Sequence, residues 1–234
     1  MPGMFYYYYD PTYILVIIGA VICMVASANV NRTYSKYSHV VNSRRLQAQE
    51  VAAMILREAG ITDVRIERVS GNLTDHYDPR NKVLRLSDSV YGSASVAAVG
   101  VAAHECGHAI QHKVDYVPIR LRNAIVPVVN IGSQLSWPVI LLGAVLGMTH
   151  LLKIGIWLFA LTLIFQIVTL PVEFNASGRA LEILRSRGIL QGDEMRGARK
   201  VLTAAAMTYV TAVVSTLLQL LRLVLLFGRR SDNE

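Results

Sequence analysis

Ala103-His104-Glu105-Cys106-Gly107-His108 is an H-E-x-x-H pattern in a run without proline, flanked by the small or apolar residues Val99, Val101, Ala102 and Ala109. Read as an α-helix, with about 100° between residues, it sets His104 and His108 about 40° apart on one face, one turn from each other. That is the spacing at which two imidazoles hold one Zn²⁺. Glu105 lies about 60° round from His108, beside such an ion rather than on it, where a carboxylate takes a proton from an attacking water. Cys106 falls about 160–200° from both histidines, so helix geometry removes it from the ligand set. The bland alternative, two solvated histidines and a solvated glutamate, fits poorly with a run that is apolar everywhere except at the motif.

The rest of the chain has the composition of a membrane protein. Hydrophobic residues make up 53% of the 234 and charged residues only 17%, a rich balance for a soluble domain. The apolar residues are also clustered. Residues 13–30 (YILVIIGAVICMVASANV) carry no charge and have the length of a bilayer-spanning helix. So do 124–149, which contain Pro127 and Pro138, and 154–172; a fourth run, 203–228, is interrupted only by Arg222. The expected fold class is a mostly α membrane protein of about four transmembrane helices carrying a small α+β domain. Ala26-Ser27-Ala28 resembles a signal cleavage site, but Tyr6-Tyr7-Tyr8-Tyr9-Asp10 ahead of the first run has no Lys or Arg. A signal peptide needs a positive n-region, so a retained anchor is expected, with the tyrosines in an interfacial aromatic belt.

The net charge of +7 raises nucleic acid as a partner, and its distribution excludes it. Thirteen of the 23 Lys and Arg lie in 31–123, mixed with nine acidic residues and without an aromatic stacking pattern or recognition helix. These segments instead suit the anionic cytoplasmic leaflet of a lipid bilayer. Cys23 and Cys106 are not expected to form a disulfide.

Taken in order, the chain reads as a tail and first anchor (1–30), a small domain (31–123), a membrane hairpin (124–172), a further helix and linker (173–202), and a C-terminal membrane helix and tail (203–234). Within the small domain, Leu46 to Ala59 has an amphipathic pattern with Val51, Met54, Ile55 and Ala59 inward, ended by Gly60. Val64–Val69 and Lys82–Leu86 alternate as strands. The turn chemistry of Asp78-Pro79-Arg80-Asn81 predicts a hairpin between His76-Tyr77 and Val83-Leu84. Ser93 or Ser95 is the expected N-cap of the motif helix, which should run to about His112, and Gly100 the expected point of close helix contact. Helix, small sheet and H-E-x-x-H helix is the order of a zinc metallopeptidase domain. There an edge strand beside the metal pairs with an extended substrate; Val83, Leu84, Arg85 and Leu86 are the candidates.

Catalytic zinc keeps three protein ligands and one open position. His112 is one turn beyond His108, but three imidazoles on consecutive turns of a straight helix cannot converge on one ion. Glu173, in Pro171-Val172-Glu173-Phe174-Asn175-Ala176-Ser177, is the better third ligand, at the expected start of a new amphipathic helix. Two apolar runs, joined by a turn near Thr149–Lys153, separate it from the motif. Two crossings return the chain to the same face of the membrane.

The pair H-E-x-G-H and E-F-x-A-x-x-x-A (Glu173, Phe174, Ala176, Ala180) around a membrane hairpin resembles the HtpX and CAAX-prenyl-protease group of gluzincins. Thr74-Asp75-His76-Tyr77-Asp78-Pro79 and Leu170–Ser177 extend the match, across nearly the whole chain, to the YugP-type bacterial neutral zinc metallopeptidases. The resemblance implies a zincin-like (gluzincin) domain and a membrane-bound zinc metallopeptidase. In HtpX-like enzymes the position four after the ligand glutamate is an Asp that holds a zinc-bound His. Here it is Ser177, about 40° from Glu173 on a helix and a neutral partner.

The expected function is thus a zinc endopeptidase with His104, His108 and Glu173 as ligands of a single Zn²⁺ and Glu105 as general base, acting on membrane-associated proteins or peptides. Tyr209, Arg179 and His76 are the candidate oxyanion donors. Basic residues in 31–123 and 173–202 against none in the N-terminal tail place the site on the cytoplasmic face of a multi-pass cell-membrane protein. The alternatives are a zinc hydrolase of a non-peptide substrate and a non-catalytic membrane scaffold with a structural metal site. Oligomeric state is not encoded in any of these features.

Overall fold

The computed structural model describes residues 10–227; the Tyr6–Tyr9 belt lies outside the described residues. Six helices and three strands follow in the order α1 (Tyr13–Ser38), α2 (Ala48–Glu58), β1 (Arg65–Val69), β2 (His76–Asp78), β3 (Val83–Ser87), α3 (Val96–Lys113), α4 (Val117–Leu146), α5 (Thr149–Ser186) and α6 (Gly192–Phe227). Helices α1, α4, α5 and α6 are each long and apolar enough to cross a membrane. The protein is therefore a mostly α membrane protein with a small α+β part, as the apolar runs predict.

Contacts divide the chain into two units. One contains Val25–Val126 and Phe165–Val210, and hence the motif helix and Glu173. Its core is formed by the inner face of α2 (Val51, Ala52, Ile55), the strand β3 (Leu84, Leu86), α3 (Val99, Ala102, Ala103, Cys106) and the ends of α5 and α6 that face them (Ala180, Leu184, Ala198, Leu202). Gly60, at φ +63°, ends α2 in the left-handed region that a Cβ disfavours. Ser95 caps α3 by accepting a hydrogen bond from the Ala98 N–H at 3.2 Å.

The second unit contains Pro127–Ile164 with the described parts of the two chain ends. Ile140, Leu152, Phe159 and Leu223 form its small core, with Trp137 edge-on to Phe159 at 6.1 Å. Arg222, the charge that interrupts the fourth apolar run, is met by Asp10 at 2.7 Å and lies 5.3 Å over the ring of Tyr13. A cation in a span is costly unless paired, and this one is paired.

Several expectations need correction. The sheet order is β1-β3-β2, with β3 parallel to β1 and antiparallel to β2. Val83, Leu84, Arg85 and Leu86 therefore lie on the central strand, the first three with strand partners on both sides and Leu86 paired with Arg68 of β1, so β3 is not the edge strand expected to meet a substrate. Both faces of β3 are buried, with Val83, Leu84 and Leu86 fully covered. A centrally buried strand need not alternate, and Arg85 gave this one the look of a half-exposed strand. The edge beside the motif helix is β2, short and polar as edges tend to be. Glu173 does not begin a helix either, because α5 runs continuously through Pro171. A proline inside a spanning helix is tolerated where neighbours re-satisfy the backbone. Likewise α6 starts at Gly192, with Asp193 and Glu194 in its first turn favouring that end. The turn between α4 and α5 falls at Gly147-Met148, just before the stretch expected.

The close helix contact is at Gly107 rather than Gly100. A Cβ at Gly107 would stand 2.6 Å from the carbonyl oxygen of Ala176, whereas one at Gly100 would make an ordinary 3.6 Å contact with Ala198. Gly107 is thus the point at which α3 and α5 touch backbone to backbone. It lies between the two histidines of the motif, and Ala176 lies between Glu173 and Ser177.

Candidate metal centre

Helix α3 supplies His104 and His108, and α5 supplies Glu173. With α5 pressed onto Gly107, Nε2 of His104 is 3.2 Å from Nε2 of His108. Oε2 of Glu173 stands 3.3 Å from the first and 3.6 Å from the second. Tetrahedral zinc with bonds of ~2.0–2.1 Å needs ligand separations of ~3.3–3.4 Å, so the three atoms fit that ion. The donor set, two imidazoles and a carboxylate, is also that of a catalytic zinc site. No fourth His, Cys, Asp or Glu joins the group among the described residues. Both His108 and Glu173 are buried, and buried ionisable groups at this density call for an ion or for each other.

Each ligand is held from behind. Nδ1 of His104 lies 3.0 Å from Oγ of Ser177, one turn after Glu173. Nδ1 of His108 lies 3.0 Å from Oε1 of Gln111. The amide nitrogen of Gln111 donates to the Val172 carbonyl at 2.8 Å and to Oδ1 of Asn175 at 3.0 Å. With those acceptors on its nitrogen side, Gln111 must turn its oxygen to His108. Nδ1 then carries the proton, and Nε2 keeps its lone pair for a metal. Gln111 is fully buried, so the same bonds also strap α3 to α5. Gln111→Met is therefore expected to lower zinc affinity about 10–100-fold. Competition against a chromogenic chelator checks this, and an unchanged affinity would deny Gln111 the role. Oε1 of Glu173, the oxygen turned from the imidazoles, faces Nη1 of Arg122 at 3.8 Å.

Glu105 is buried at 7% exposure and lines two cavities that meet at the motif. One, of about 200 Å³, is bounded by α1, α3 and α6; the other, of about 250 Å³, by β2, α3 and α4. Asp75, His104, Glu105, Glu173 and Tyr209 line both.

The remaining candidates separate clearly. Tyr209 lies at the junction of the cavities. His76 lines the second, but Nδ1 faces the Thr74 carbonyl at 2.9 Å and Nε2 faces Nη1 of Arg85 at 3.3 Å, so neither ring nitrogen has an N–H to spare. Arg179 is not brought to the motif: its Nε donates to Asn175 at 2.8 Å, and it lines a different cavity with Ile110 and Glu182. His112 lines the second cavity near Tyr77, at 6.1 Å between ring centroids, and is not a ligand. Cys106 is fully buried on the far side, facing the Ala52 carbonyl, and burial pushes its thiol pKa well up.

Three residues at the site escaped the sequence reading of roles. Gln111 sits one turn past His108 on the motif face, a position helical spacing alone would have flagged. Asp75 was visible only as part of a family motif. It accepts from the backbone N–H and the hydroxyl of Ser87 at 2.7 and 2.8 Å. Burial raises its pKa against the pull of those bonds. Arg122 has no local signal, since it reaches Glu173 only through the fold.

His104, His108 and Glu173 could hold a metal ion, on a protein with four helices apolar enough to cross a membrane. The family model described as "Putative neutral zinc metallopeptidase" matches residues 12–228, and the chain belongs to that family. A relative from Bacillus subtilis (strain 168), named "Putative membrane protease YugP", is 45% identical over 209 residues, covering 89% of this chain and 93% of the relative. No solved structure matches the chain.

Proposed function

We propose that this protein is a zinc-dependent endopeptidase that hydrolyses peptide bonds of membrane proteins or peptides at the cytoplasmic surface of the membrane. The observation that carries the reading is the convergence of His104, His108 and Glu173 within 3.6 Å of one another, with Glu105 lining the cavities at that point.

A bound Zn²⁺ would supply Lewis acidity and lower the pKa of a water to near neutrality. His104, His108 and Glu173 would hold it, and Ser177 and Gln111 keep both imidazoles turned to present Nε2. Glu105 takes the proton of the attacking water as the carbonyl carbon gains its new C–O bond. It then delivers that proton to the nitrogen as the C–N bond breaks. Tyr209 is the best-placed oxyanion donor, because it stands at the cavity junction with Glu105; its hydroxyl pairs with Glu173 and would turn from that carboxylate to the oxyanion. Arg122, 3.8 Å from Oε1 of Glu173, would offset the charge of that carboxylate. The free edge of β2, beside the second cavity, replaces β3 as the strand that an extended substrate pairs with.

A structural metal site would fill its fourth position with protein, and the absence of a fourth ligand among the described residues favours catalysis. The test is metal removal. Chelation is expected to abolish cleavage of casein or of an unfolded membrane protein by the purified full chain, and stoichiometric zinc to restore it. Cleavage that survives complete removal of zinc would overturn the reading.

A further inference from the structure

The two cavities at the motif differ in chemistry. The first is walled by Val30 of α1, Val101 of α3, and Val201, Leu202, Ala205 and Ala206 of α6. The second is walled by His76 and Tyr77 of β2, His112 of α3, and Arg122 and Asn123 of α4. One is a small apolar chamber, the other a polar groove, and Glu105 stands where they join. Val101 is one helical turn before Glu105, so the apolar wall begins next to the catalytic base. At about 200 Å³ the chamber is smaller than pockets that enclose whole ligands and suits one aliphatic or aromatic side chain. Two of its walls, α1 and α6, are helices apolar enough to cross a membrane.

We infer that the substrate is an extended segment cut at an apolar-to-polar boundary, with a Leu- or Phe-sized residue next to the scissile bond on one side and polar residues on the other. The inference rests on the peptidase reading for its chemistry, but not for its geometry. A bond at Glu105 has one neighbour directed to the chamber and the other to the groove. A polar side chain in the chamber would lose its water against the apolar walls of α1 and α6, while Asp75 and Ser177, which also line it, are already engaged by Ser87 and His104; such a loss is penalised more than a missing methylene. An apolar side chain in the groove would take water from His112, Arg122 and Asn123, which line it. Boundaries of this kind occur where a membrane segment meets its polar flank.

The experiment uses zinc-loaded full-length protein in detergent and fluorogenic peptides in which Leu and Asn are exchanged at each position flanking the cut. Leu→Asn on the chamber side is expected to lower kcat/KM about 10–100-fold, and the same exchange on the groove side to leave it unchanged or raise it by up to about 3-fold. Ala205→Phe, which fills the chamber from α6, should shift the preference on that side to Gly or Ala while leaving zinc content unchanged. If that variant does not fold, Val30→Phe fills the chamber from α1. Equal preference on the two sides, or a Leu preference that survives filling the chamber, would overturn the inference. Peptide binding to the Glu105→Gln protein, read by fluorescence anisotropy, separates the two claims. Leu-selective binding that is lost on filling the chamber, without cleavage by the native chain, would uphold the inference and sink the peptidase reading. Unselective binding would sink the inference alone.

Discussion

Glu105→Gln is expected to keep its zinc and to lose peptide cleavage by about 10²–10⁴-fold, the range a general base contributes. The amide has nearly the shape of the carboxylate and fits the same buried position, so α3 and the His104–His108 pair should be undisturbed. What it lacks is a basic oxygen able to take the proton of the attacking water. Metal content by atomic spectroscopy and kcat/KM on a single peptide together make the check. Full activity with full zinc would remove Glu105 from the mechanism, while loss of both would show that the substitution had damaged the fold.

Gly107→Ala is expected to destabilise the protein and to disturb the site at once. Its Cβ would be driven to 2.6 Å from the Ala176 carbonyl oxygen, a backbone atom that no rotamer change can move. Overpacking of this kind typically costs about 1–3 kcal/mol. The larger consequence is geometric. The contact at Gly107 sets the distance between α3 and α5, and so between the imidazoles and Glu173. Parting the helices by about 1 Å would stretch the ligand separations beyond what a ~2.1 Å bond length spans. The variant should therefore show a lower Tm in its metal-free form and zinc affinity reduced by more than about 100-fold. Native zinc affinity in a folded Gly107→Ala protein would mean that the helix contact does not set the site.

Gly107 was not legible in the sequence, which pointed to Gly100 for the close helix contact, because only the packing of α5 decides which glycine it meets. The H-E-x-x-H helix, its Ser95 cap, the Gly60 stop, the hairpin at Asp78–Asn81 and the four apolar runs are local patterns. Each follows from spacing or turn chemistry, and each appears where those rules put it. Glu173 came from a count of membrane crossings together with a family motif. The errors are tertiary. Residues of β3 alternate like those of an edge strand because Arg85 faces its own ion partners, Asp78 and Glu67. Strand order, not composition, decides which strand is central. Pro171 reads as a helix boundary by its backbone chemistry, but in a long spanning helix the surroundings override it. Arg122 and Glu173 are far apart in the chain, and nothing local announces their meeting. Arg179, a candidate donor on the same helix as Glu173, faces away, because residues six apart on a helix lie about 120° from each other.

The central claim is that His104, His108 and Glu173 together hold zinc, and the most direct measurement is zinc stoichiometry and affinity of the native chain against Glu173→Ala. The native protein should retain about one zinc per chain through purification, and the variant, with two imidazoles left, should bind more than about 100-fold more weakly and lose it to a mild chelator. Equal stoichiometry and affinity in the two proteins would contradict the assignment of Glu173 and the account of the site built on it.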